Sequence, residues 1–154
     1  MNSLVVFDSR GGYTEALARA IGGALEGAMS VTVARVGSPE SRDLTDVALL
    51  VVGGPTEAHG ATPAMREWLA SLGRSTLGTV HAAAFDTRLH WPRLLSGSAA
   101  DVIAQHLREA GCQMIGSPES FFVEGRVSPG PDADALDLAR GWANSLVAAV
   151  PLPV

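Results

Sequence analysis

An open α/β sheet with helices on both faces is the fold class this sequence predicts, and two observations predict it. Apolar or β-branched runs alternate with helix-period segments about five times along the chain. That order demands parallel pairing, because each parallel crossover needs a helix to span it. The strongest apolar run, VALLVVG at 47–53, shows no polar alternation, as a strand buried on both faces should not. A length of 154 residues without repeat, linker or low-complexity tract points to a single domain over 1–150, with 151–154 as a tail.

Residues 3–7 read as the first strand, short, β-branched and apolar. The period changes over 14–26, where Leu17, Ile21 and Leu25 recur every four residues and Glu15 and Arg19 stand at i,i+4 spacing. Residues 31–36 form a second strand, and 37–46, polar and holding Pro39, a loop or short helix. The third strand, 47–53, stops at Gly53-Gly54-Pro55. A second helix opens with Thr62 as N-cap and Pro63 in its first turn, with Met65, Trp68, Leu69 and Leu72 on one face. Residues 79–85 read as a fourth strand and 86–97 as a long irregular loop. The helix at 98–110 turns Val102, Ile103, Leu107 and Ala110 inward and stops at Gly111. Segments 112–115 and 120–123 make one fifth strand interrupted by Gly116-Ser117-Pro118. The last helix, 132–149, places Leu138, Trp142, Leu146 and Val147 on a common side.

Composition removes several functions. A net charge of −5 argues against nucleic-acid and anionic-membrane binding, since either needs a basic surface. One cysteine, Cys112, excludes an internal disulfide and a Cys-rich zinc site; at a strand start it reads as a small buried hydrophobe. His81 and His106 have no companions at ligand spacing, so no metal is expected. Trp68 and Trp142 fall at core spacing. No Gly-x-Ser-x-Gly elbow is present, and Gly53-Gly54 stand where a phosphorylation receiver would carry its acceptor aspartate. The N-terminus enters strand-like sequence at once, without a signal-type segment, and the expected compartment is the cytoplasm.

Ligands of an open doubly wound sheet bind beyond the carboxyl ends of the strands, where the strand order reverses. For the common order 2-1-3-4-5 that crevice lies between strands one and three, and the loops bordering it here are 9–14, 54–62 and 86–97. The first loop, Ser9-Arg10-Gly11-Gly12-Tyr13-Thr14, leads into a helix whose first N–H groups lack partners and whose dipole favours an anion. Gly11 and Gly12 let the backbone approach such an anion closely, and Ser9 and Thr14 can add hydroxyls. An ordinary tight turn would use the same glycines. Neither the Walker pattern nor G-x-G-x-x-G is present.

These features together resemble the flavodoxin-like family. Its members carry a Thr/Ser-x-Thr/Ser-Gly-x-Thr loop after the first strand, which grips the phosphate of FMN; Ser9, Gly12 and Thr14 match it in order and spacing. Gly11 stands where the family usually has a hydroxyl residue, and Arg10 adds a positive side chain that such loops usually lack. Gly53-Gly54-Pro55-Thr56 resembles the Gly-x-Pro-Thr segment that runs beside the flavin ring in related proteins. The split fifth strand and the closing helix with Trp142 extend the likeness over essentially the whole chain.

The resemblance implies FMN as cofactor. Ser9, Arg10, Gly11, Gly12, Tyr13 and Thr14 would hold its phosphate. Pro55, Thr56, His59 and Gly60, with Asp86, Thr87, Arg88, His90, Trp91 and Gly97, would frame the ring. Trp91 is the stacking candidate and His59 the candidate for the opposite face or the N5 edge; Gly60 would permit the peptide rearrangement that answers reduction. Arg88, His90 and Arg93 put positive charge near the ring and predict a less negative potential than that of a low-potential carrier. The implied function is electron transfer with a redox partner protein or a small-molecule acceptor. The alternatives are an FMN-dependent NAD(P)H:quinone-type oxidoreductase and a module of the same fold that has lost the cofactor. No acid–base residue is expected.

Overall fold

The computed structural model of the chain describes residues 1–57, 60–73, 77–89, 97–123 and 130–151. Strand β1, Asn2–Phe7, leads into α1, Tyr13–Leu25; β2, Ser30–Arg35, is followed by one 3-10 turn, Pro39–Arg42. Then come β3, Val47–Pro55, α2, Pro63–Ala70, and β4, His81–Arg88. Helix α3, Ala99–Glu109, short strands β5, Gln113–Met114, and β6, Glu119–Phe122, and helix α4, Ala133–Ala149, complete the chain.

All the strand pairs are parallel, in the order β2-β1-β3-β4-β5, with β6 also paired to β4. The predicted doubly wound order is therefore the observed one. The interrupted fifth strand is also real: β5 pairs His81 and Ala82, while β6 pairs Phe85 to Arg88. Between them Gly116 adopts φ 65, a left-handed conformation, and Pro118 has no N–H to give a ladder.

Alternation along the strands sends successive side chains to two different cores. On one face Leu4, Val6, Leu50, Val52, Ala82 and Ala84 meet Met65, Trp68 and Leu69 of α2 and Ile103 and Leu107 of α3. On the other, Val5, Phe7, Leu49, Val51, Ala83 and Phe85 meet Leu17, Ile21 and Leu25 of α1 and Ala139, Ala143 and Leu146 of α4. Each fully buried Val, Leu, Ile, Phe or Met among them contributes about 1.5–3 kcal/mol. Phe85 anchors the second core, packing edge-on to Phe121 at 5.9 Å and Trp142 at 5.8 Å between ring centroids. Its ring lies over Gly53, where a Cβ would come within 2.1 Å of it.

The predicted caps form. Thr62 Oγ1 accepts from the Met65 amide at 3.2 Å, with Pro63 beside it, and Gly111 at φ 99 closes α3. Trp68 is buried and donates its indole N–H to Ser41 O at 2.9 Å. Among the described residues no helix is long and apolar enough to cross a membrane.

Two expectations need correction. Leu138 is 68% exposed rather than in the core; the i, i+4, i+7 stripe of α4 is Ala139, Ala143 and Leu146, and Leu138 lies one residue off it. The fourth strand runs three residues further than expected, so Asp86, Thr87 and Arg88 are buried strand residues, not loop. Ladders on both sides hold them extended: Asp86 is level with Gly54 and Ser120, and Thr87 with Pro55 and Phe121.

Gly53→Ala is expected to destabilise the protein by about 1–3 kcal/mol in urea unfolding, because the added Cβ overlaps the buried Phe85 ring and forces it to shift. Cys112 is buried, and burial pushes its thiol up to about 11. It should therefore resist a thiol reagent at pH 8 in native protein and react rapidly in denaturant; fast native-state labelling would contradict this packing.

Candidate functional site

The loop after β1, the end of β3 and the start of α3 meet at the carboxyl edge of the sheet, and polar side chains fasten them there. Asp8 continues β1 by one rung, its amide donating to Gly53 O at 3.1 Å. Its carboxylate accepts from the Ser9 amide at 2.9 Å and from the hydroxyl of Thr62, the cap of α2. Arg35, at the end of β2, reaches the same corner. Its guanidinium donates to Ser9 O at 3.1 Å and to Glu15 at 3.0 Å, and lies 3.7 Å from Asp8 Oδ1. Arg19 foremost, with Arg35 behind it, holds the Glu15 carboxyl below the usual carboxylate range.

Gly11 and Gly12 follow at φ 80 and 89, and no described residue lies within 4 Å of where either Cβ would be. The N-cap of α1 is thus Gly12, which has no side chain to offer, and Ser9 Oγ takes the Glu15 amide of the first turn in its stead. A hydroxyl residue in place of Gly11 would be held left-handed at a cost of about 1–2 kcal/mol. That is a backbone reason for the glycine where similar loops carry a hydroxyl.

The hydroxyls of the loop are engaged within the protein. Ser9 Oγ accepts from the Glu15 amide at 3.2 Å. Thr14 is buried, and its Oγ1 lies 2.8 Å from Thr87 Oγ1. Tyr13 donates its phenol to Phe122 O at 3.3 Å, tying the head of α1 to β6. Arg10 pairs with Glu57 at 2.6 Å, spanning from the first loop to the loop after β3. An exposed pair of this kind contributes about 0–1 kcal/mol.

Beyond β3, Thr56 donates its amide to Thr87 O at 2.9 Å. Glu57 and Gly60 exchange backbone bonds at 2.8 and 2.7 Å, closing a tight turn. Gly60 is buried against Arg66, whose guanidinium occupies the place a Cβ would take. Asp86 is fully buried and receives bonds from Thr56, Ser98 and the Ala100 amide. Arg88, also buried, ends β4 and accepts at its carbonyl from Val123 N at 2.8 Å. Gly97, at φ 70, leads into α3. Burial and then the neighbouring Asp86 raise the Glu119 carboxyl above its ordinary value.

The expected site residues Ser9 to Thr14, Pro55, Thr56, Gly60, Asp86, Thr87, Arg88 and Gly97 are therefore gathered at one edge. Asp86, Thr87 and Arg88 form its buried floor. His59, His90, Trp91 and Arg93 lie outside the described residues. Asp8, Arg35 and Glu57 were not anticipated. Asp8 had a readable signal, an acid directly after an apolar strand and before the glycine turn; Glu57 had none, since its partner is remote in sequence. A groove of about 630 Å³ runs beside β6, lined by Tyr13, Phe121, Phe122, Leu138 and Trp142 with Glu119, Asp132 and Asp134 among its acids.

No protein-family model and no curated protein sequence matches the chain. Solved structures do. A flavodoxin from the domain Archaea superposes with a TM-score of 0.77 at 21% identity, covering 97% of this chain and 99% of that one. Flavodoxin 1 from Bacillus cereus gives 0.81 at 18% identity, over 98% and 100%. A WrbA-like flavodoxin from Agrobacterium tumefaciens gives 0.65 at 15% identity, over 97% and 96%. The fold is flavodoxin-like.

Replacing either Thr14 or Thr87 with Val should cost about 1–3 kcal/mol by stranding a buried hydroxyl. The double variant should lose little more than one of the singles, a coupling that a urea double-mutant cycle measures. Strictly additive losses would show that the two hydroxyls do not act as a pair.

Proposed function

We propose that this chain is an FMN-binding electron-transfer protein of the flavodoxin type. The observation that carries the reading is the Gly11-Gly12 turn at the head of α1, at the switch point between β1 and β3, with no described residue within 4 Å of either Cβ position. The residues present fit a phosphate there: a helix N-terminus whose N-cap residue, Gly12, has no side chain, close backbone approach and side chains that brace the loop from behind.

Bound FMN would supply the redox chemistry, accepting and releasing electrons at its ring, so the protein needs no acid or base of its own. In this reading the backbone of Gly11, Gly12, Tyr13 and Thr14 holds the phosphate. Ser9 steadies it through the Glu15 amide, and Thr14 locks the loop to β4 through Thr87. Arg10 brings positive charge to the crevice mouth while its Glu57 partner draws the loop after β3 towards it. Pro55, Thr56 and Gly60, with His59, His90, Trp91 and the Gly97 region, frame the ring, over a floor of Asp86, Thr87 and Arg88. The electron acceptor is a redox partner protein or a small molecule.

Titration of the purified protein with FMN should quench flavin fluorescence at one equivalent. Riboflavin, which lacks the phosphate, should bind at least about tenfold more weakly, the value of a charged hydrogen-bonded anchor. Unchanged emission with both ligands would overturn the flavin reading. Steady oxidation of a nicotinamide by the loaded protein would replace electron carriage with the reductase alternative.

A further inference from the structure

One carboxylate oxygen joins the end of β3 to the start of α3. Asp86 Oδ2 accepts from Thr56 Oγ1 at 3.1 Å, from Ser98 Oγ at 2.8 Å and from the Ala100 amide at 3.0 Å. Thr56 follows β3; Ser98 and Ala100 begin α3 and so end the segment that follows β4. Thr56 is used twice, since its Oγ1 also accepts from the Ala99 amide at 3.0 Å. Asp86 itself is 0% exposed, and its Oδ1 is buried with no hydrogen-bond partner among the described residues.

A cap for α3 does not require this arrangement, because Ser98 already caps the helix through the Asp101 amide at 3.3 Å. Burying a carboxylate is costly unless hydrogen bonds compensate it, and among the described residues only Oδ2 of Asp86 is so compensated. Asp86 lies level with Gly54 on β3 and one rung past Phe85 and Gly53, at the crevice and not in the depth of the core. Its charge acts there through a low-dielectric surrounding, where Coulomb interactions are strong.

We infer that Asp86 is the positioning residue of the flavin ring: it fixes the spacing between the end of β3 and the start of α3, and its buried charge opposes electron uptake by the ring. The inference rests on the FMN reading above. Arg88, two residues along the same strand, acts in the opposite electrostatic sense, so the potential reflects the difference between them. The removal of the Asp86 charge alone isolates its share.

The test compares wild type, Asp86→Asn, Asp86→Ala and Thr56→Val, reading FMN and riboflavin affinity, the midpoint potential of bound FMN, and amide exchange in the ligand-free protein. Asp86→Asn, which keeps an acceptor oxygen, should bind FMN within about threefold of wild type and shift the midpoint potential upward. Asp86→Ala should lose about tenfold in affinity for FMN and riboflavin alike, leaving their ratio unchanged, and should speed exchange at the Ala99 and Ala100 amides. Thr56→Val should show a smaller loss of the same kind, and it keeps the tether testable if the alanine variant does not fold. An unchanged potential in Asp86→Asn overturns the electrostatic role. A loss confined to FMN, or no loss in either tether variant, overturns the positioning role. A wild type that binds neither ligand overturns the flavin reading itself, and this inference with it.

Discussion

The first loop, the end of β3 and the start of α3 are all fastened to the last residues of β4. Side chains alternate along a strand, so Asp86 and Thr87 point to opposite faces of the sheet. Asp86 follows Ala82 and Ala84 toward α3, where it finds Ser98 and Ala100. Thr87 follows Ala83 and Phe85 toward α1, where it finds Thr14. Two adjacent residues thereby hold the loops on both faces. Each buried polar group is costly if left unbonded, so every broken contact carries its own penalty and the arrangement is specified by more than packing.

The same edge explains how the first loop is built. Its hydroxyls are turned inward, Ser9 to the Glu15 amide and Thr14 to Thr87. What the loop presents outward is backbone, freed by two consecutive left-handed glycines. Such a loop is organised before any ligand arrives, and an anion would not have to bear the cost of ordering it. Arg35 and Asp8 stiffen the loop from the side of β2, and the Arg10–Glu57 pair joins it to the loop after β3.

The deeper core supports this edge by close contact. Phe85 needs the vacancy at Gly53, and its ring then braces Phe121 and Trp142. That brace is what keeps β6 against the upper half of β4 after the Gly116 break. Without β6 alongside, the polar end of β4 would have a partner on one side only.

Much of this was legible in the residues themselves. The run at 47–53 identified the central strand; Thr62-Pro63 marked the start of α2 and Gly111 the end of α3, because periods, caps and stops are properties of consecutive residues. The glycine turn at 11–12 and its position after the first strand were equally plain. The tertiary structure alone decided that Asp86-Thr87-Arg88 is strand, since a polar triplet looks like a loop until ladders from β3 and β6 hold it extended. It decided that Leu138 faces outward, because the way α4 docks, not its composition, selects the buried stripe. It also decided that Thr14 bonds to Thr87 and Arg10 to Glu57. Local sequence determines what each segment can form. Which polar groups then share a bond is decided by the folded sheet, which brings remote residues within 3 Å and, at Thr14 and Thr87, removes the water that would otherwise satisfy them.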